Sequence, residues 1–352
     1  MPYADRYTIS YNGEFYNYLE LREELEVLGH SFRSHTDTEV ILAAYAEWGE
    51  ACVEKFNGMW AFALFDADAN TLFLSRDRFG IKPLYYTESE SQFCFGSELR
   101  QLLPMLEQRL VDKTVLADYL VSNFLEHRDE TFFKGLKKLP ASHNLFYDLT
   151  THSYSISRYY SIARRQSKHE GLDEACNQYR EQLDDAVRLR LRSDVKVGTC
   201  LSGGLDSSSV ATLAAKRYSS SGEGSFTAIT SKASDPEVDE SMFAKMVVDQ
   251  GDMQWCVIEP GYDEFAAAID AARKTSYGSG TFDPCAQGFP LEVRSVTLGG
   301  EDVRLWFGDK AQIQPLVSDS CPLDQLPDYI LDMSRLAEID GAEDKESQLV
   351  KA

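Results

Sequence analysis

The stretch Leu201-Ser202-Gly203-Gly204-Leu205-Asp206-Ser207-Ser208-Ser209 holds residue types that could bind a phosphate. It lies between a strand-like run, 196–201, and the helical run "SVATLAAKRY", 209–218. In that setting backbone N–H groups and a helix N-terminus converge on one point, which holds an anion without net positive charge. Gly203 and Gly204 let the backbone come close, and the hydroxyls of Ser202 and Ser207 can donate. Asp206 would repel a phosphate unless a cation lies between them, and Mg2+ is the natural mediator. The common nucleotide loop carries lysine after its last glycine, and this one does not. A glycine-rich turn that merely caps a helix is the plain alternative.

The elements around this loop read as strand-helix-strand-helix. Ala175, Tyr179, Leu183, Ala186 and Val187 trace an amphipathic helix, 225–230 reads as a strand and 239–251 as another helix. That order predicts a parallel sheet with crossover helices, an α/β domain. The N-terminal part predicts something else. Tyr7 to Tyr11 reads as a strand with no predecessor to pair with, and Asn12-Gly13 as a tight turn. A helix capped by Asn17, with Glu20 as its capping-box partner, carries Leu21, Leu25 and Leu28 and stops at Gly29. A second helix runs from Asp37 to a stop at Gly49. Four strand-like runs follow in tight hairpins, 60–66, 71–75, 84–87 and 92–95, which predicts antiparallel sheet with the two helices packed on it. The fold class is therefore α+β followed by α/β, with domains at 1–160 and 173–352 and a polar linker at 161–172. Beyond about residue 260 periodicity fades, and the last sixteen or so residues are polar and predicted loose.

Composition narrows the function. The 352 residues are 43% hydrophobic, enough for packed cores, and the formal charge is −22. Such acidity excludes non-specific nucleic-acid binding and anionic membrane surfaces, and no apolar run is long enough to span a membrane. Seven cysteines, an odd number with no Cys-x-x-Cys pair, point to reduced thiols in a cytoplasm and to buried apolar roles for each.

Several phrases together resemble one family. "LSGGLDS" resembles the pyrophosphate loop of ATP pyrophosphatases. "YNGEFYNYLELREEL" (11–25), "SHTDTEVILAAY" (34–45), "FNGMWAFALFD" (56–66), "SRDRFGIKPLYY" (75–86) and "GSELRQLL" (96–103) resemble the class II glutamine amidotransferase domain. Their order, with "TFFKGLKKLPASH" (131–143) between the halves, is similar to that of glutamine-hydrolysing asparagine synthetases. The resemblance implies an N-terminal nucleophile-type αββα sandwich and an ATP pyrophosphatase-like parallel sheet, both incomplete. It implies that aspartate is adenylated by ATP with Mg2+ and then amidated by ammonia from glutamine, in a cytoplasmic enzyme that could be a homodimer. It implies that Asn12 and Gly13 form the oxyanion hole for the glutamine amide, and that Glu14 and Asp37 hold the α-ammonium group. Leu201, Ser202, Gly203, Gly204, Asp206, Ser207 and Ala228 would bind ATP, with Asp206 on the metal. Arg76, Asp77 and Gly80 would be scaffold, with a surface ion pair as the plain alternative. The acidic run Asp235 to Glu240 matches the family and equally suits a helix start.

The family pattern is broken in two places. The nucleophile in this family is a cysteine at the mature N-terminus, whose own amine is the base, whereas Pro2 stands here and the first cysteine is Cys52. Glutaminase activity is therefore expected to be absent from this chain. The Gly-x-Gly-x-Asp-Glu segment that completes the family's nucleotide site has no match, and a divergent or frame-shifted C-terminal region is the expectation. A β-lactam or peptide-cyclising synthetase, and a non-catalytic fragment that binds nucleotide weakly or contacts a partner, are the alternatives.

Overall fold

The computed structural model describes residues 1–89, 92–122, 124, 127–162, 171–222, 224–251, 253–259, 261, 292–298, 301–308 and 330–332. The central part of the proposed linker and the polar C-terminal tail lie outside the described residues, as do Cys285 and Cys321. The chain divides into two compact units, one from Met1–Gly13, Met59–Tyr160 and Ala271–Ala352, the other from Glu14–Gly58 and Ser161–Asp270.

The first unit is built mainly of β-sheet. β1 (Pro2–Tyr3), β2 (Tyr7–Phe15), β3 (Gly58–Asp66), β4 (Thr71–Arg76), β8 (His143–Asp148) and β9 (Ser153–Arg158) form one sheet in the order β1-β2-β3-β4-β8-β9. A smaller antiparallel sheet orders β6 (Gln92–Gly96), β5 (Tyr85–Ser89) and β7 (Lys137–Lys138). The two sheets stack. Ala61, Ala63, Leu74, Leu145 and Tyr147 of the large sheet share a core with Leu84, Tyr86 and Leu139, and the Phe93 and Tyr147 rings lie 4.4 Å apart. A second core, with Tyr85 and Phe133, seats α4 (Leu99–Leu102) and α5 (Lys113–Ser122).

Two local expectations fail here. Asn12-Gly13 is not a turn, because β2 runs straight through it. A Cβ on Gly13 would meet the Met59 carbonyl at 2.3 Å, so glycine serves close strand packing rather than reversal. β2 does have a predecessor: Pro2 and Tyr3 pair with Thr8 and Tyr7 around Ala4 and Asp5, both at positive φ, and the Met1 ammonium donates to the Ile9 carbonyl. The turn thus falls five residues or more before the Asn-Gly pair that local propensity favours.

The second unit begins with α1 (Tyr18–Val27), α2 (Asp37–Trp48) and α3 (Cys52–Lys55). The expected capping box on α1 does not form. The Asn17 side chain bridges the chain instead, accepting from the Asn57 N–H and donating to the Lys55 carbonyl. Leu21 and Leu25 are buried as the spacing predicts, while Leu28 is exposed beyond the helix end. α2 has the predicted bounds, with Gly49 at φ +58 closing it and Thr36 capping Glu39. Burial pushes the Glu39 carboxyl up, and bonds from the Arg33 and Ser34 N–H groups and the Ser34 hydroxyl outweigh that, holding it below the usual range.

Later in the chain, α6 (Leu172–Arg190), β10 (Gly198–Cys200), α7 (Leu205–Ser220), β11 (Thr227–Ser231), α8 (Ser241–Gly251) and β12 (Gln254–Ile258) follow. β10, β11 and β12 pair in parallel and in sequence order, as the strand-helix alternation predicts. Val187, Ala211, Ala215, Ala228, Ala244 and Val248 pack the three helices onto one face. On the other face Cys200, Ile229 and Cys256 align in register, and all three are exposed among the described residues. Cys176 is exposed as well, so the expectation that every cysteine is buried holds for Cys52 and not for these. Finally, β13 (Glu292–Leu298), β14 (Glu301–Gly308) and β15 (Ile330–Asp332) form a separate small sheet.

Glu20 has a different partner from the one its spacing suggests. It accepts both terminal nitrogens of Arg192, at 2.5 and 2.6 Å, while Arg192 also donates to the Tyr16 carbonyl. The hydrogen bonds from Arg192 hold the Glu20 carboxyl at about 2. Its folded value is thus depressed, so the stability it contributes is present above the ordinary glutamate range and is lost as pH falls toward 2. Half of the side chain is solvent-exposed, which limits the contribution to about 1 kcal/mol or less. Urea titrations from pH 6 to 2 are expected to show that loss in the native protein, and Glu20→Gln is expected to remove it. An unchanged profile in the variant would assign the acid sensitivity elsewhere.

Candidate functional site

The loop at 201–207 has the strand-loop-helix setting its sequence predicts. β10 ends at Cys200, and the Leu201 N–H donates to the Ile229 carbonyl, so the chain leaves the sheet one residue later. Thr230, buried, donates its hydroxyl to the Leu201 carbonyl and accepts from the Trp255 indole, which pins the strand end. Nothing in the local sequence of the loop points to Thr230. Only its alternation with the buried Ala228 on β11 could have placed it beneath the turn.

Gly203 is the pivot. Its φ is +89, and an added Cβ would lie 2.7 Å from both the Ala244 nitrogen and the Phe243 Cβ of α8. Helix α7 starts at Leu205, earlier than the sequence reading, so Asp206 and Ser207 occupy its first turn rather than the loop. Asp206 is exposed there, where the helix dipole favours an acidic group. Ser202 Oγ and Ser207 Oγ are 3.0 Å apart, Ser202 Oγ accepts from the Gly204 N–H, and Ser207 donates to the Gly204 carbonyl. Together these form an exposed, donor-rich cradle. Leu201 and Ala228 bury their side chains in the core of this unit, so any contact they make with a nucleotide passes through backbone atoms. In Asp235 to Glu240, Asp235 accepts from the Glu237 N–H. Asp239 accepts from the N–H and hydroxyl of Ser241, and the N–H bond draws its carboxyl down. That is helix-start chemistry.

Of the residues assigned to glutamine, Asn12 and Gly13 lie in the first unit and Glu14 and Asp37 in the second. Asn12 is exposed on β2 and donates from Nδ2 to Ser97 Oγ at 3.3 Å. It opens onto a cavity of about 720 Å3 also lined by Ser97, Glu98, Arg128 and Lys138. Ser97 lies in the segment "GSELRQLL", 96–103, and nothing in its local spacing marks it. Glu14 is exposed, and Asp37 Oδ2 accepts the Phe15 N–H at 3.1 Å at the start of α2.

Arg76 and Asp77 do not form a surface ion pair. Asp77 is wholly buried and accepts four backbone N–H groups, from Trp60, Phe79, Ile81 and Lys82, at 2.9–3.3 Å. Arg76 donates to the carbonyls of Gly80, Lys82 and Leu139. The pair folds the 77–82 loop that walls the cavity, which is the scaffold role. Cys52 is wholly buried, and burial pushes its thiol far up, so it is no substitute nucleophile.

Among the described residues no helix is long and apolar enough to cross a membrane, and no three metal-ligating side chains cluster. Residues 1–160 match the family described as glutamine amidotransferase domain, and residues 178–284 the family described as asparagine synthase. Asparagine synthetase [glutamine-hydrolyzing] 3 of Bacillus subtilis is 41% identical over 223 residues, 62% of this chain and 36% of that protein. The corresponding protein 2 of Bacillus subtilis is 41% identical over 216 residues, 58% of this chain and 29% of its own length. The chain thus spans well under half the length of these relatives. A solved glutamine phosphoribosylpyrophosphate amidotransferase from B. subtilis overlaps 76% of this chain and 51% of its own, at 12% identity and a TM-score of 0.32, too slight a likeness to bear on the fold. An amidotransferase-type part, 1–160, is thus followed by an asparagine synthase-type part, 178–284, and the chain is similar in sequence to glutamine-hydrolysing asparagine synthetases.

Proposed function

We propose that this chain binds ATP at the 201–207 loop and adenylates the β-carboxylate of aspartate, releasing pyrophosphate, after which ammonia displaces AMP to give asparagine. The observation that carries this reading is Gly203. Its left-handed backbone, with no room for a Cβ, turns the loop so that the Ser202 and Ser207 hydroxyls stand beside the start of α7. Those donors suit the β- and γ-phosphates as a leaving group. Asp206 would share an Mg2+ with the phosphates. A single exposed carboxylate fits a magnesium ion that keeps several waters and takes its other ligands from substrate, rather than one held in a protein cage. When bound, the ion would neutralise charge developing on the departing pyrophosphate.

In the amidotransferase half, Asn12 and the Gly13 N–H would stabilise the anionic oxygen on the glutamine amide, with Glu14 and Asp37 on the α-ammonium group. The two stacked sheets of the first unit support an N-terminal nucleophile-type sandwich for this part. Cys52 is buried and Cys94 half-buried, and burial pushes both thiols up, so neither is a ready nucleophile. Ammonia is therefore the expected nitrogen source for the protein as it stands. Mixed with ATP, Mg2+ and aspartate, it is expected to release pyrophosphate with ammonium chloride and to form asparagine, but not with glutamine. Equal rates with glutamine would contradict the inactive glutaminase half, and no pyrophosphate from either would leave a non-catalytic role.

A further inference from the structure

We propose that Ser97 is a positioning residue for the Asn12 carboxamide, fixing which hydrogen of Nδ2 is offered to a bound amide oxygen. Asn12 stands exposed on β2, where an unrestrained carboxamide would rotate between orientations and present oxygen as readily as nitrogen. The bond from Nδ2 to Ser97 Oγ at 3.3 Å consumes one hydrogen and commits the nitrogen end to that side. The second hydrogen remains for a ligand, and both residues line the same cavity. A donor aimed at developing negative charge contributes most when it is oriented before the substrate arrives.

Ser97 can do this because its own place is fixed on both sides. Immediately before it, Gly96 pairs with Tyr85 at the end of β6. Immediately after it, the Glu98 N–H donates to Gln101 Oε1 at 3.1 Å, and the Glu98 side chain closes a capping box on α4. The Glu98 carboxylate also takes Arg100 Nε at 2.7 Å. The hydroxyl thus hangs from a turn held at two ends, and it reaches a strand 85 residues away in sequence.

The inference rests on the reading of Asn12 as part of the glutamine site, and the test separates the two. In the full chain, the side-chain amide signals of Asn12, identified by their loss in Asn12→Ala, report its order by NMR. Wild type is expected to give a rigid, dispersed pair, Ser97→Ala a mobile pair near the position of free asparagine, and Ser97→Thr, which keeps the hydroxyl, the wild-type pair. An unchanged signal in Ser97→Ala would overturn the proposal, whatever glutamine does. Glutamine is then titrated into the same samples. Binding is expected to weaken about tenfold in Ser97→Ala. It should weaken no further when that change is added to Asn12→Ala, because Ser97 acts through Asn12. If glutamine leaves the Asn12 signal unmoved in wild type, the oxyanion-hole reading fails, and the positioning of the amide by Ser97 is judged on its mobility alone.

Discussion

Replacing Gly203 with alanine is expected to lower ATP affinity by on the order of a hundredfold, or more, and to destabilise the second unit by about 3 kcal/mol. Two costs combine. An alanine at φ +89 loses about 1–2 kcal/mol from left-handed backbone strain. Its Cβ, 2.7 Å from the Ala244 nitrogen, also forces the loop and α8 apart. Gly29 separates these costs, since its φ is +100 and nothing lies within 4 Å of an added Cβ. Gly29→Ala should therefore show the strain alone and leave ATP binding untouched. Calorimetric titration of ATP with Mg2+ and urea denaturation of both variants read the difference. If Gly203→Ala costs no more than Gly29→Ala and still binds ATP, the close approach of loop to α8 is not what shapes the cradle.

The second large effect is expected at Asp77. Alanine there leaves four buried backbone N–H groups without their acceptor, and such a loss costs about 3–5 kcal/mol. Asparagine is not a rescue. It keeps one acceptor oxygen but turns an NH2 group toward N–H donors on the other side, where each original oxygen took two. Asp77→Asn should therefore lose nearly as much stability as Asp77→Ala, with faster hydrogen exchange at Phe79, Ile81 and Lys82. A loss below about 1 kcal/mol in either variant would show that the loop is held by Arg76 and not by the carboxylate.

What could be read from sequence follows the range of the forces involved. The bounds of α2, the β3–β4 hairpin and the parallel order of β10, β11 and β12 come from local periodicity and from residues such as Gly49, so they were legible. Asn12-Gly13 has the propensity of a turn, while its place on β2 beside β3 decides its conformation. Glu20 was misread for the same kind of reason: its spacing fits a capping box, and its partner is Arg192, 172 residues on. The strand-loop-helix setting of Ser202 to Ser207 is legible as a motif, yet Thr230, bonded to the Leu201 carbonyl, and Ser97, bonded to Asn12, act across the fold and leave no local mark. Cys200 and Cys256 were expected inside because small thiols usually pack, and they lie on a sheet face that no helix among the described residues covers.

In the proposed reaction aspartate is activated by forming a bond to the α-phosphate of ATP. The direct measurement uses aspartate carrying oxygen-18 in its β-carboxylate, with ATP, Mg2+ and ammonium chloride. Attack by the carboxylate and departure of pyrophosphate give the acyl-adenylate, and ammonia then breaks the acyl C–O bond, leaving one labelled oxygen on AMP. One oxygen-18 in AMP is expected for each asparagine formed. AMP without label, or inorganic phosphate and ADP in place of AMP and pyrophosphate, would contradict it.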